Sequence, residues 1–234
     1  MYKYDNLVSI LEANNEQHKT WTVNENYDFV LKDKTFAKWY DFKEIAINNL
    51  NDLYALLEQY QHKKRCCFVR GKLNENAWEQ RTKGYKIPRK KEYIEDYPKS
   101  WVMFDIDNFK KPQGIDLRYF SQRKKAVNMF LESINKQFAS TSYICQFSNG
   151  MFPTSDKVKA HIWFMLDKPR TCQNLKEYFS AKNYNIDKCV FNPSQIYYTA
   201  APSFIDCIDP LGDTRLFMEE KTKSSDLREP ESRI

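Results

Sequence analysis

The sequence predicts an α+β fold, and three observations carry this prediction. From Trp101 onward the apolar residues alternate between strand periodicity and helix periodicity. Hydrophobic residues make up 41% of the 234 residues and aromatic residues 15%, which is enough to fill a substantial core. The chain has no run of about 18 apolar residues and no signal-peptide apolar segment, so we expect a cytoplasmic protein that does not contact membranes.

The first part of the chain combines scattered aromatic residues with one helix and one strand. Seven aromatic residues could stack on bases, but we interpret them as core because most aromatic residues are core; they are Trp21, Tyr27, Phe29, Phe36, Trp39, Tyr40 and Phe42. The stretch NNLNDLYALLEQYQ predicts a helix, with Leu53, Leu56, Leu57 and Tyr60 at helical spacing behind asparagine caps. The following CCFVRG predicts a strand.

The segment RTKGYKIPRKK, residues 81 to 91, holds six cations and no acid, together with Gly and Pro. This composition predicts a mobile loop, either merely solvated or in contact with a polyanion. The net charge of +6 agrees with a polyanionic partner, although such an excess is common on soluble proteins. The candidate nucleic-acid-binding residues are Arg81, Lys83, Lys86, Arg89, Lys90 and Lys91.

The second half predicts a regular order of elements from Trp101. A strand is followed by a helix with apolar positions at Val127, Phe130, Leu131, Ile134 and Phe138. The strand TSYICQF, a hairpin, the strand VKAHIWFML, the helix LKEYFSAKN and the strand QIYYTA come next. Residues 221–234 are polar and predict a tail or linker. The six cysteines form no C-x-x-C pair, so we expect reduced, mostly buried thiols.

Two aspartates stand one residue apart in the apolar strand WVMFDIDNF. Side chains alternate across a strand, so Asp105 and Asp107 share one face, while Phe104 and Ile106 point to the other. Two neighbouring carboxylates repel each other unless a divalent cation or a lysine neutralises them. The alternative is a buried strand running out into solvent, with Asp107 at the start of a turn.

The strand VKAHIWFML places Lys159, His161 and Trp163 on one face. A lysine and a histidine side by side can both donate to phosphate oxygens, so they suit a metal-bound triphosphate if they lie opposite the two carboxylates. The alternative is an exposed strand face without a ligand. Asp187 precedes a proline-bearing turn, where a lone aspartate is usually a cap.

The order of these motifs resembles the archaeo-eukaryotic primase superfamily, particularly the primase-polymerase domains of phage and plasmid replication proteins. Members carry a strand ending in two acids, an S-x-H strand after a hairpin, and a third acid near a later strand. Here FDID matches the first motif and K-A-H the second, with Lys159 in place of the serine, over residues 65 to 210. Asp187 matches the third acid by position, and Asp206 or Asp209 is the alternative.

The resemblance implies a recognition-motif-like catalytic sheet packed against an N-terminal α/β module. The catalytic domain would span 1–220, with the module at about 1–98 and the sheet at about 99–220. Asp105, Asp107 and Asp187 would bind two Mg²⁺ or Mn²⁺ ions and, with His161, form the catalytic set. Lys159 and His161 would hold the triphosphate, with Ser148 and Asn149 beside them.

The reaction implied by the resemblance is template-directed nucleotidyl transfer from nucleoside triphosphates, by a DNA primase/polymerase that makes primers for a phage or mobile element. Its partner would be a single-stranded DNA template, bound by the basic segment. The chain lacks G-x-x-x-x-G-K-[ST], so a helicase motor would be fused to it or recruited in trans. The alternatives are a metal-dependent nuclease, a D-x-D glycosyltransferase and a non-catalytic single-stranded DNA-binding replication initiator.

Overall fold

The computed structural model describes residues 6–221 and 226–227 and has the predicted α+β class. The strands are β1 Leu7–Ala13, β2 Lys19–Val23, β3 Phe29–Lys34, β4 Trp39–Ala46, β5 Cys66–Val69, β6 Lys72–Leu73, β7 Ile87–Pro88, β8 Ile94–Glu95, β9 Lys99–Lys110, β10 Tyr143–Phe147, β11 Lys157–Arg170, β12 Ser203–Phe204, β13 Leu216–Glu219 and β14 Asp226–Leu227. The helices are α1 Leu50–Tyr60, α2 Glu75–Thr82, α3 Phe120–Ile134, α4 Lys136–Ser140 and α5 Cys172–Ala181, and short 3₁₀ turns span Lys188–Phe191 and Gly212–Arg215.

The long strand β11 is the centre of the largest sheet. It pairs antiparallel with β9 on one side and with β10 on the other, and β13 extends the sheet beyond β10. The helix α3 connects β9 to β10 across this sheet, so the three strands and the helix form a split β-α-β unit. Residues 101–104 at the start of β9 are all buried, as expected for a strand covered on both faces.

The N-terminal part of the chain builds a second, antiparallel sheet in the order β5-β1-β4-β7. The helix α1 begins at Asn49, whose side chain accepts a hydrogen bond from the N–H of Asp52, and it buries the predicted positions Leu53, Leu56, Leu57 and Tyr60. A small sheet of order β12-β2-β3 joins the two parts of the chain, because β2 pairs with the late strand β12.

A fully buried arginine ties the second sheet to the first. The Arg70 guanidinium donates to the carbonyl oxygens of Lys99, Trp101 and Arg170 at distances of 2.8 to 3.0 Å. Its donors therefore satisfy main-chain oxygens at the beginning of β9 and the end of β11. One apolar cluster contains buried side chains from both sheets, and a second cluster holds the other buried side chains of the N-terminal sheet. The predicted division near residue 98 remains a prediction.

The predicted strand QIYYTA is wrong. Only Tyr197 bridges another strand, exchanging two backbone hydrogen bonds with Phe68 of β5. Pro193 and Pro202 flank this stretch and have no N–H to donate, and the Tyr197 ring packs 6.0 Å from Trp101 and 5.8 Å from Trp163. Its apolar residues thus reflect packing between the sheets, and no strand forms here beside β9.

Further corrections concern irregular segments. The predicted loop at residues 81 to 91 includes the end of α2 and the strand β7, because β7 pairs with β4 and buries Ile87 and Pro88. The helix predicted to reach Phe138 breaks at Asn135, whose side chain caps α4. Most of the predicted tail lies outside the described residues, but residues 226–227 pair with β11.

The remaining expectations concern aromatic residues and thiols. Tyr40 and Phe42 are buried as predicted, whereas Tyr27, Phe36 and Trp39 are exposed, so interpreting them as core is wrong. All six cysteines are free thiols, and four of them are buried. Among the residues that the structure describes, no helix has the length and apolar character needed to span a bilayer.

We predict that stability depends on pH through Lys99. Its side chain is fully buried, and burial lowers its pKa to about 8 despite the nearby Glu44 carboxylate. The unfolded chain therefore binds more protons than the folded chain between about pH 8 and 10.5, and stability from this group rises with pH across that window. Lys99→Met removes the titration. Urea unfolding at two pH values should show that the wild type gains on the order of 1–2 kcal/mol relative to Lys99→Met between about pH 7.5 and 9.5. Equal pH responses of the two proteins would contradict this prediction.

Candidate functional site

The register of β9 and β11 brings four predicted residues together. His161 lies opposite Asp105. A register shift follows, in which residues 106 to 109 of β9 face residues 158 to 160 of β11, and it brings Lys159 to Asp107. The Lys159 Nζ lies 3.4 Å from Asp107 Oδ1, and the His161 Nε2 lies 3.8 Å from Asp105 Oδ1. The two acids and the two basic side chains therefore share one face at one end of the sheet.

A cavity of about 200 Å³ opens on this face. Its lining includes five of the predicted residues, namely Asp105, Asp107, Ser148, Asn149 and His161. It also includes residues that sequence reasoning missed: His18, Lys19, Lys34, Thr35, Gly150 and Tyr198. The N-terminal strands β2 and β3 therefore contribute to the same cavity as the central sheet.

The turn after β10 forms one wall of the cavity. It is fixed by four contacts: the N–H of Met151 donates to Ser148 O, the N–H of Ser148 donates to Lys159 O, the Trp21 indole donates to Asn149 O at 2.8 Å, and the buried Arg215 donates to Ser148 O at 3.1 Å. Among residues 6–221 and 226–227, the N–H groups of Asn149 and Gly150 have no acceptor. Successive free N–H groups in a rigid turn are suited to binding an anion.

Three lysines from different strands face this turn. Lys19 and Lys34 lie opposite each other on β2 and β3, and a Cβ at Gly150 would lie 3.5 Å from Lys19 Nζ and 3.9 Å from Lys159 Cδ. Burial lowers the pKa of Lys19, and the charges of Lys34 and Lys159 lower it further. Lys19 and Lys34 carry no local sequence signal, since only tertiary pairing brings them here.

The acid–histidine pair is largely desolvated. Burial raises the pKa of Asp105, the positive charge of His161 opposes this, and the carboxylates of Asp107 and Asp187 raise it further. Burial lowers the pKa of His161. The buried Nδ1 atoms of His161 and His18 have no hydrogen-bond partner within the described part of the chain, while His18 Nε2 lies 2.8 Å from Ser203 Oγ. Two unsatisfied ring nitrogens beside one cavity are the kind of group that a ligand or an ordered water serves.

The three candidates for the third acid differ in their contacts. Asp187 is exposed and caps the 3₁₀ turn that lies against β9, accepting from the N–H of Cys189 at 2.8 Å, and its charge also acts on Asp105. Asp209 is bound by Arg215 through two hydrogen bonds, and Asp206 adopts a left-handed backbone conformation with φ 59°. Within the described residues, no group of three or more His, Cys, Asp or Glu side chains is arranged to hold a metal.

The predicted nucleic-acid-binding segment lies on the N-terminal sheet and does not line the cavity. Four of its cations donate to protein atoms: Arg81 to Phe42 O, Lys83 to Glu79, Lys86 to Asp41, and Arg89 to Ser194 O. Lys90 and Lys91 are exposed. Partial neutralisation of this kind reduces the charge available to a phosphate backbone.

We predict that His161 titrates below the ordinary histidine pKa of 6.5 and that removing the Asp105 charge lowers its pKa further. The chain has three histidines, so their ring signals can be followed individually by NMR as the pH changes. In Asp105→Asn the His161 signal should titrate at a lower pH than in the wild type, because the carboxylate that favours the imidazolium is gone. The His18 signal is the internal control, since its charged neighbours are Glu16, Lys64 and Asp33. A wild-type His161 signal that titrates above the ordinary histidine range would contradict this account of the pair.

Comparisons of the chain with protein-family models, curated proteins and solved structures found no match. The likeness to the primase superfamily thus rests on the order of Asp105, Asp107, Lys159, His161 and Asp187 along this chain. The assignment of metal, nucleotide and template to these residues remains a prediction.

Proposed function

We propose that the chain is a metal-dependent nucleotidyltransferase that extends a strand along a single-stranded DNA template, in the manner of a primase-polymerase. One observation carries the proposal: two carboxylates and two lysines, Lys19 and Lys34, line a single cavity beside a turn with free N–H groups, and a third lysine, Lys159, contacts the Asp107 carboxylate. A metal-bound nucleoside triphosphate combines negative phosphates with a hard cation, so it complements both sets of side chains.

The phosphates would lie at the lysine side of the cavity. Lys19, Lys34 and Lys159 each supply an ammonium group, and the N–H groups of Asn149 and Gly150 supply main-chain donors. The turn at Gly150 lies beside the Lys19 ammonium, since a Cβ built at Gly150 would be at the ordinary contact distance of 3.5 Å from Lys19 Nζ. Hydrogen bonds to charged groups contribute about 1.5–3 kcal/mol each, so this set can dominate nucleotide affinity.

The carboxylate side fits a magnesium or manganese ion that is shared with the substrate. Asp105 and Asp107 offer hard oxygen ligands. Burial and, to a smaller extent, the neighbouring carboxylates raise the pKa of Asp105, and a bound divalent cation would relieve this repulsion. Mg²⁺ is commonly held by one or two carboxylates together with substrate phosphates, so the absence of a three-ligand group among the described residues does not oppose this fit. When bound, the ion supplies Lewis-acid stabilisation of phosphoryl oxygens. Asp187, whose Oδ1 accepts from the N–H of Cys189, would offer its second carboxylate oxygen as a further ligand.

Lys159 and His161 have separate tasks in this proposal. Lys159 already neutralises Asp107 at 3.4 Å and would turn to the phosphates when a metal takes over that carboxylate. Burial lowers the pKa of His161, which favours a neutral imidazole at pH 7 that donates from one nitrogen only. It would therefore orient a phosphate oxygen rather than add a full charge.

We predict that Asp105→Asn and Asp107→Asn each abolish nucleotide incorporation. The assay contains a single-stranded template, a primer, labelled nucleotides and Mn²⁺ or Mg²⁺, and each variant should lose more than about 100-fold in rate because a metal ligand is gone. Asp167→Asn, an exposed acid at the far end of β11, is the matched control and should retain wild-type activity.

The same assay separates the alternatives. Template cleavage by the wild type in the absence of nucleotides would replace the proposal with a metal-dependent nuclease. Template binding that survives both substitutions, without any incorporation by the wild type, would replace it with a non-catalytic initiator. Turnover of sugar nucleotides would replace it with a glycosyltransferase.

We also predict that the three lysines act on the nucleotide. Replacing Lys19, Lys34 or Lys159 with Met should raise the KM for the nucleotide about tenfold and change template affinity less, since each replacement removes one charged donor. Lys168→Met, at an exposed position on β11, is the control. A normal KM with weakened template binding would move these lysines from the triphosphate to the template.

A further inference from the structure

Two large aromatic side chains lie exposed in the segment that follows the cavity-lining residues Lys34 and Thr35. The Phe36 ring is 61% exposed and the Trp39 side chain 56% exposed, although their neighbours Tyr40 and Phe42 are buried. Phe36 directly follows Thr35, which lines the cavity. We name Phe36 and Trp39 the aromatic strip.

The main chain of the strip is held firmly. The N–H of Ala37 donates to the side chain of Gln17, which is fully buried, and the side chain of Asn15 donates to Phe36 O at 3.3 Å. The Thr35 hydroxyl donates to Glu16 O, and Trp39 lies in the paired strand β4 opposite Pro88 of β7. The rings are thus presented by a fixed backbone, which lowers the entropy cost of binding a partner.

Positive charge accompanies the rings. The Lys34 ammonium lies 4.8 Å from the centre of the Phe36 ring and also lines the cavity, so one side chain belongs to both surfaces. Lys38 is exposed between the two rings in sequence, and Lys86 reaches Asp41, two residues beyond Trp39 on β4. The pairing of β7 with β4 therefore places part of the basic segment 81 to 91 beside the strip.

We propose that the aromatic strip stacks on unpaired bases of a single-stranded nucleic acid whose phosphates follow Lys34, Lys38 and Lys86 towards the cavity. Exposed aromatic rings combined with a basic track are the features that bind single strands without sequence preference. This inference deepens the proposed function and rests on it for the identity of the strand, which would be the template.

A second exposed tryptophan provides the contrast. Trp78 of α2 is 47% exposed, but it faces a surface depression lined by three carboxylates, those of Glu44, Glu75 and Glu95, with Lys72 as the cation among them. Those carboxylates repel a phosphate backbone. The Arg81 guanidinium also lies 5.0 Å from the centre of the Trp78 ring. Trp78 therefore matches Trp39 in residue type and exposure and differs in the three carboxylates that surround it.

The test is binding of fluorescein-labelled oligo(dT) of about 20 nucleotides, followed by anisotropy at several salt concentrations. Phe36→Leu and Trp39→Leu should each weaken binding at least about fivefold, because the ring is lost while apolar bulk is kept. The slope of log Kd against log salt should stay unchanged in both variants, since no cation is removed. Trp78→Leu should bind within about twofold of the wild type, and Asp167→Asn, at an exposed position on β11, should bind normally. An unlabelled duplex should compete poorly.

The outcomes distinguish this inference from the proposed function. If the wild type binds oligo(dT) through the aromatic strip but incorporates no nucleotide, the proposed function is overturned and the binding role of the strip is supported. Incorporation by the wild type, with normal oligo(dT) binding by both strip variants, would overturn the strip alone. The binding role of the strip is also overturned if Trp78→Leu loses as much affinity for oligo(dT) as the strip variants, or if the wild type does not bind oligo(dT).

Discussion

The pairing of β9 with β11 is the constraint on which the remaining structure depends. Side chains alternate along both strands, so Phe104 and Ile106 enter the core as Asp105 and Asp107 turn to the cavity. A slip of one residue would exchange these sets and bury two carboxylates without partners. The apolar positions Ile162 and Phe164 of β11 enforce the same register from the other strand. Packing of the core therefore holds Asp105 and Asp107 together, although repulsion between their like charges favours their separation.

The parts of this arrangement that follow from local patterns are predictable from the sequence, and the parts that follow from long-range pairing are not. Alternation along one strand is enough to place Asp105 and Asp107 on one face, and helical spacing is enough to locate α1, whereas the pairing of β9 with β11 is needed to bring His161 to that face. Lys19 and Lys34 lie more than a hundred residues away from β11 in sequence, and long-range contacts of β2, its pairing with β12 and the Trp21 hydrogen bond to Asn149, bring them near it. The strand prediction for QIYYTA fails for the same reason. An irregular segment buried between two sheets has the same apolar composition as a strand.

The cavity collects charges of both signs at short range, and this is costly for a folded protein. Burial raises the pKa of Asp105 and lowers the pKa of Lys19 and His161, so each group is held in an environment that disfavours its charged form. Arg215 contributes at a distance, because it fixes Ser148 O while binding Asp209. Strained electrostatics of this kind are concentrated at functional sites, where a ligand of complementary charge relieves them.

The buried guanidinium of Arg70 has a consequence for how the chain can be divided. Its donors are satisfied by carbonyl oxygens of Lys99, Trp101 and Arg170, on the other side of the predicted module boundary. A fragment ending near residue 98 would leave the Arg70 guanidinium without these acceptors, and a fragment beginning there would expose main-chain oxygens that water must then solvate. Expression of either half alone would therefore yield a poorly folded polypeptide. Exchange of the cavity and its lining between proteins by recombination would require transfer of both halves together.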